Sequence, residues 1–174
     1  MIYYDYEEVL LKVDKLFCSG KFILAKRMLE EVLEEEPGYG PAHYKLGWLY
    51  WSRLDDYEKA ERHFKLALKF APQYPLTYYS FIQLLNEVND NRMLTKVGTD
   101  ALKVRGMNRF FVHNELGKSF EMNAKLAEAL QEYEAAQNCV AGSGDTDHAK
   151  ANILRVKEKM FLTSMKNSFH SEAQ

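Results

Sequence analysis

The sequence predicts an all-α protein of about four stacked helix pairs closed by one further helix, and three observations carry that expectation. A five-slot pattern recurs along the chain, first at an offset of 35 residues. Its slots fall mostly three or four residues apart, the spacing that gathers side chains on one stripe of a helix. The 174 residues hold only 4 prolines and 9 glycines, which suits long helices better than many short strands.

The first pair is expected over about 6–39. Its second half, GKFILAKRMLEEVLEEEP (20–37), sets out the slots as Phe22, Ala25, Leu29, Val32 and Pro37. The second pair, about 40–73, repeats them as Tyr57, Ala60, Phe64, Ala67 and Pro72. Its first helix holds Leu46, Gly47 and Tyr50 within AHYKLGWLYW (42–51), and its inter-helix turn, SRLDDYEK, has one extra residue. The third pair, about 75–108, keeps register without keeping chemistry: Asn91, Leu94, Gly98, Ala101 and Gly106 fill the slots. Asn91 and Gly98 are poor replacements for aromatic residues, so a kink is looked for at Gly98 and Gly106. The fourth, about 110–143, restores the pattern with Leu126, Ala129, Tyr133, Ala136 and Ala141, preceded by Leu116, Gly117 and Phe120.

Small residues (Gly47, Gly117, Ala25, Ala60, Ala67, Ala129, Ala136) are expected where two helices approach closely, with Tyr50, Phe64, Phe120 and Tyr133 filling the adjacent holes. One helix pair has too little apolar area to stand alone, so neighbours must stack. Pro37 and Pro72 stop the second helices, because proline cannot continue the hydrogen-bond ladder. Past Ala141 the loop GSGDTD (142–147) offers Asp145 or Thr146 as N-cap of a last helix at about 147–165. Ala149, Ile153, Val156 and Met160 form one apolar seam on it; Leu154, Phe161 and Met165 form a second. Residues 166–174 read as a flexible tail.

The spacing Leu-Gly-x-x-Tyr/Phe, then Ala-x-x-x-Phe/Tyr-x-x-Ala, then Pro resembles the tetratricopeptide repeat (TPR). The likeness is sharpest in the second copy and clear in the fourth, and the copies span roughly four-fifths of the chain. It implies a right-handed α-solenoid forming one domain over 1–165, whose last helix covers the open end of the stack.

Composition narrows the function. Lysine plus arginine (23) nearly balance aspartate plus glutamate (25), so no global field draws in nucleic acid or an anionic membrane. Cys18 and Cys139 lie far apart without a CxxC, which disfavours a disulfide framework, and both are expected to be buried or partly buried inert thiols. The opening MIYYDYEEVLLKVDK has early acids and no unbroken apolar run, so neither a signal nor a transit peptide is expected. No stretch approaches the roughly 18 apolar residues of a membrane span. A cytoplasmic protein is the expectation.

Nothing points to catalysis, a cofactor or a metal. The five histidines are scattered, and His43 and His113 occupy equivalent packing slots. The Asp145-Thr146-Asp147 run lacks the central glycine and closing glutamate of a calcium loop. GSG follows no strand and lacks the Gly-Lys-Ser/Thr ending of a phosphate loop. The acid runs Glu30-Glu31 and Glu34-Glu35-Glu36 read as a solvated helix face.

The resemblance implies instead a concave groove lined by the first helix of each pair. Carried over by the Leu-Gly register, its slots fall on Leu10, Asp14 and Phe17; Tyr44, Trp48, Trp51 and Ser52; Leu76, Tyr79, Gln83 and Asn86; and Phe111, Asn114, Lys118 and Glu121. Of these, Leu10, Phe17, Tyr44, Trp48, Trp51, Leu76, Tyr79, Gln83, Phe111 and Asn114 are expected to bind a partner protein, as an extended peptide or a helix. Tyr44, Trp48, Trp51 and Tyr79 would form an apolar cradle, since rings with little rotamer entropy suit binding hot spots. The family's carboxylate clamp for acidic chaperone tails is absent: its slots carry Leu10, Asp14, Lys45, Leu76 and Ser80, and of these only Lys45 is a donor of the required kind. By size and architecture the chain is also similar to bacterial secretion chaperones that hold hydrophobic clients, and homo-oligomerisation is a third reading.

Overall fold

A computed structural model describes residues 5–139 and 143–171, with side chains over 5–139 and 144–166. Among the described residues there are nine helices and no strand. Contacts divide the chain into two compact units, one up to Leu84 and one from Leu85.

In the first unit, α1 (Tyr6–Cys18) pairs with α2 (Phe22–Glu35), and α3 (Gly40–Arg53) with α4 (Tyr57–Phe70); α5 (Pro75–Glu87) begins here. Asp5 starts α1, its carboxylate accepting from the Glu7 and Glu8 N–H groups at 3.1 and 3.2 Å. The core is the expected stripe: Ala25, Leu29, Val32, Ala60, Phe64 and Ala67 are fully buried, as are Val13, Ala42 and Leu49. A Cβ on Gly47 would lie 2.8 Å from the Phe64 ring, so glycine lets α3 and α4 close on that ring.

The second unit runs from the end of α5 through α6 (Asn91–Ala101), α7 (Arg109–Met122), α8 (Leu126–Asn138) and α9 (Ser143–Ser171). Gly117 repeats the role of Gly47, its missing Cβ falling 2.7 Å from the Tyr133 ring. Gly98 departs from expectation: it is a close approach between α6 and α7, where Leu116 comes within 3.1 Å of the missing Cβ. The large group that the third repeat lacks on α6 is thus supplied from α7. Helix α6 is also shorter than α2 and α4, at 11 residues against 14. Gly106 stands beyond its end at φ 79°.

One turn design recurs at four inter-helix turns. Gly20, Asp55, Asn89 and Ala124 hold φ of 72°, 50°, 57° and 57°. The next N–H then turns back to a carbonyl of the preceding helix: Lys21 to Leu16, Asp56 to Tyr50, Asp90 to Leu85 and Lys125 to Phe120, at 2.9–3.0 Å. Asp56 reaches one residue further back than the others, which is how the extra residue of SRLDDYEK is absorbed. Asp56 and Asp90 then cap the second helices, accepting from Lys59 N–H at 3.1 Å and Met93 N–H at 3.0 Å.

The last helix differs from its expected span of 147–165. It starts at Ser143, so Asp145 and Thr146 lie inside it rather than at its cap, and residues 166–171 continue it. No glycine or proline follows Gly144, so no breaker stops the helix. Ala141 and residues 172–174 lie outside the described residues. The seam of Ala149, Ile153, Val156 and Met160 packs on α8, around Ala129 and Tyr133. The second seam stays exposed: Leu154, Phe161 and Met165, with Leu162, face solvent.

Candidate functional site

In the first unit, α1 and α3 bring three of the expected groove rings together. Phe17 and Trp48 meet at 5.0 Å between ring centroids. Tyr44 lies edge-on to Tyr74 at 5.4 Å and against buried Phe64 at 6.4 Å, with its hydroxyl hydrogen-bonded to Ser80. Phe17, Tyr44 and Trp48, with Asp14 and Lys45, wall a cavity of about 170 Å³. A second cavity of about 340 Å³ adjoins it, lined by Glu7, Leu10, Leu11, Asp14, Tyr39, Pro41, Lys45 and Tyr74.

The two cavities share Asp14 and Lys45, which form an ion pair between α1 and α3. The pair is asymmetric: the Lys45 side chain is 11% exposed and that of Asp14 53%. Burial pushes the Tyr39, Tyr44 and Tyr74 phenols upward, and nearby carboxylates add to it: Glu7 and Asp5 for Tyr39, Asp14 for Tyr44 and Tyr74. All three hydroxyls therefore remain neutral near pH 7. Beyond Trp48, the Arg53 guanidinium lies over the Phe22 and Trp48 rings at 5.0 and 5.7 Å.

Of the other expected residues of this unit, Leu10 lines the larger cavity, while Trp51, Leu76, Tyr79 and Gln83 line neither of the two. Leu76 and Gln83 are exposed; Trp51 and Tyr79 are half-buried. The residues not expected at the site are Glu7, Leu11, Tyr39, Pro41 and Tyr74. Tyr39 and Tyr74 carry a readable signal, since they stand two residues after Pro37 and Pro72 and are themselves 35 apart.

In the second unit, Phe111 and Asn114 sit half-buried on α7, and α9 bonds to two of the residues expected in the groove, Asn114 and Glu121. Asn114 accepts from Asn152 at 2.8 Å. Glu121, with its side chain 8% exposed, accepts from both Arg155 Nε and Nη2 (2.8 and 2.7 Å), from Lys159 Nζ (2.8 Å) and from the Tyr133 hydroxyl (2.9 Å). The Arg155 bonds above all, then those from Lys159 and Tyr133, hold the Glu121 carboxyl down at about 2.

His43 is buried, with Nε2 donating to the Pro37 carbonyl (3.0 Å) and Nδ1 3.1 Å from Nδ1 of His63. His113 Nδ1 lies 2.8 Å from Glu132. Both histidines thus tie the first helix of a pair to the second. Among the described residues, no three His, Cys, Asp or Glu side chains gather where they could hold a metal ion. Cys18 corrects an expectation: it is exposed, because it ends α1 just before the turn at Gly20, and Cys139 is half-buried. No described helix is long and apolar enough to cross a membrane.

The tetratricopeptide repeat family profile matches residues 16–84, the stretch that holds most of these cavity residues. No curated protein matches the sequence. Among solved structures, PilF of Pseudomonas aeruginosa aligns at TM-score 0.72 and 17% identity, over 92% of this chain and 72% of PilF. MamA (41-end) of Desulfovibrio magneticus RS-1 aligns at 0.66 and 16%, over 87% and 93%. YrrB, described as a TPR protein with an unusual peptide-binding site, aligns at 0.68 and 18%, over 85% and 74%. At these identities the likeness shows the fold. Residues 16–84 thus carry tetratricopeptide repeats, and the same helical-repeat fold runs along most of the chain.

Proposed function

We propose that the chain binds a segment of another protein in the cleft between α1 and α3. The observation that carries this reading is the convergence of Phe17, Tyr44 and Trp48 around a cavity of about 170 Å³ beside a larger one of mixed apolar and charged lining. Rigid rings on two packed helices offer a preorganised surface, so little ordering entropy is lost by the scaffold on binding. Tyr44 also packs on Phe64, which makes Phe17 and Trp48 the cleaner probes. The Phe17→Ser, Trp48→Ser double variant is expected to keep its helical circular dichroism and lose the partners that wild type captures from native lysate. Equal capture by the two proteins would refute the cleft as the site.

A second reading, association of two copies through α9, is favoured by the exposed Leu154, Phe161, Leu162 and Met165 on one helix. Sedimentation velocity tests it: Phe161→Glu should dissociate the dimer. A wild-type monomer at every accessible concentration would sink that reading.

A further inference from the structure

The chemistry of the occupant follows from the size and charge of the cleft, an inference that rests on the cleft reading above. A cavity of about 150 Å³ lined by apolar side chains accepts benzene. The cavity at Trp48, about 170 Å³ and open on one side, has room for one phenylalanine- or leucine-sized side chain.

Charge at the rim is one-sided. Among the described residues, the single cation lining either cavity, Lys45, is largely shielded and neutralised by Asp14. The acids are the accessible groups: the Asp14 side chain is half-exposed and Glu7, at the edge of the larger cavity, is exposed. The upward push of Asp14 and Glu7 on the neighbouring tyrosines reports the same negative field. Arg53, the next cation, is stacked over Phe22 and Trp48. An acidic segment would meet Asp14 and Glu7 with no open cation lining either cavity, the exposed Arg53 standing beyond Trp48; a basic one gains both carboxylates and the ring faces.

We propose that the α1–α3 cleft takes a basic segment of another protein that inserts one phenylalanine- or leucine-sized side chain between Phe17, Tyr44 and Trp48, with flanking lysine or arginine on Asp14 and Glu7. The test is a nuclear magnetic resonance titration of the full chain, read at the Trp48 indole N–H, assigned with Trp48→Phe. Its four probes are the capped peptides Gly-Lys-Phe-Lys-Gly, Gly-Glu-Phe-Glu-Gly, Gly-Lys-Trp-Lys-Gly and Gly-Lys-Ala-Lys-Gly. The Lys-Phe-Lys peptide should bind at least about tenfold tighter than each of the others, with a preference over Glu-Phe-Glu that shrinks as salt rises. Asp14→Asn should bring the Lys and Glu peptides close to parity, because it removes one acceptor and unmasks Lys45. Equal binding of the Lys-Phe-Lys and Glu-Phe-Glu peptides overturns the charge assignment while the cleft reading stands. Tighter binding of the Trp peptide overturns the size assignment. If no peptide moves the Trp48 indole, the cleft reading falls and the proposal with it.

Discussion

Replacing Arg155 by alanine tests how α9 is held. Arg155 reaches the shielded Glu121 carboxylate through two nitrogens at 2.7 and 2.8 Å, and Asn152 Oδ1 through a third at 2.9 Å. A charge-assisted hydrogen bond is worth about 1.5–3 kcal/mol, and stripping a buried carboxylate of its partner costs about 3–5 kcal/mol. Lys159 and Tyr133 remain on Glu121 in the variant, and Arg155 is itself half-exposed, so about 2–3 kcal/mol is the expected loss. Proton linkage gives a comparable figure. Glu121 falls from 4.5 to about 2 on folding, and at about 1.4 kcal/mol per tenfold change in proton affinity its interactions contribute about 3 kcal/mol. Because the folded carboxyl holds its proton less tightly than the unfolded one, that contribution is complete above pH 4.5 and is lost as pH falls toward 2. Hydrogen exchange should therefore show faster opening of α9 in Arg155→Ala at pH 7, with thermal unfolding lowered by about 4–12 °C. Wild type should lose stability between pH 4.5 and 2 through this group, and Glu121→Gln should flatten that part of the profile. Unchanged α9 exchange in Arg155→Ala, or the same acid slope in Glu121→Gln, would refute the assignment.

Three further substitutions follow from local physics. Ala124 holds φ 57°, a left-handed strain of about 1–2 kcal/mol that glycine relieves at about 0.4–1 kcal/mol of unfolded-chain entropy, so Ala124→Gly should raise the melting temperature; a decrease would contradict it. Thr77 is fully buried and its hydroxyl has no hydrogen-bond partner, so Thr77→Val should stabilise by about 1 kcal/mol in urea unfolding, and a loss would show the hydroxyl to be satisfied. Burial first, then the charges of His43 and Arg62, lower His63 from 6.5 to about 4, with Lys26 lowering and Glu30 raising it more weakly. The folded state thus binds fewer protons, and up to about 3 kcal/mol present above pH 6.5 is lost as pH falls toward 4. His63→Phe keeps a ring against Tyr50 and should remove most of that slope in pH-dependent unfolding; an unchanged slope would move the effect elsewhere.

The repeat was legible because it is local. Slots three and four residues apart place Leu29, Phe64 and Tyr133 on buried stripes whatever the partner helix does, and Gly47 and Gly117 announce a close approach. Gly98 was harder: its filler, Leu116, comes from α7, so the third repeat looks empty when its own slots are read alone. Helix α9 runs past its expected end because the apolar seams stop at Met165, whereas no glycine or proline follows to break the helix. The Glu121 network joins residues 34 and 38 apart in sequence and depends on how α9 lies on α7, which no spacing within one helix reports.

The cleft shows the same division between identity and pairing. The rings at Phe17, Tyr44 and Trp48 can be found by register, because groove slots repeat with the helices. Its electrostatic character cannot, since Asp14 and Lys45 taken singly suggest a neutral rim. In the fold, Lys45 is the shielded member and Asp14 the exposed one. A buried, neutralised lysine offers little to an acidic ligand, whereas the half-exposed carboxylate beside it keeps acceptor capacity for a basic one. The same two residues would support the opposite preference if their exposures were exchanged. Specificity here therefore resides in which partner of an ion pair faces the cleft, and the peptide-charge comparison is the measurement that reads it.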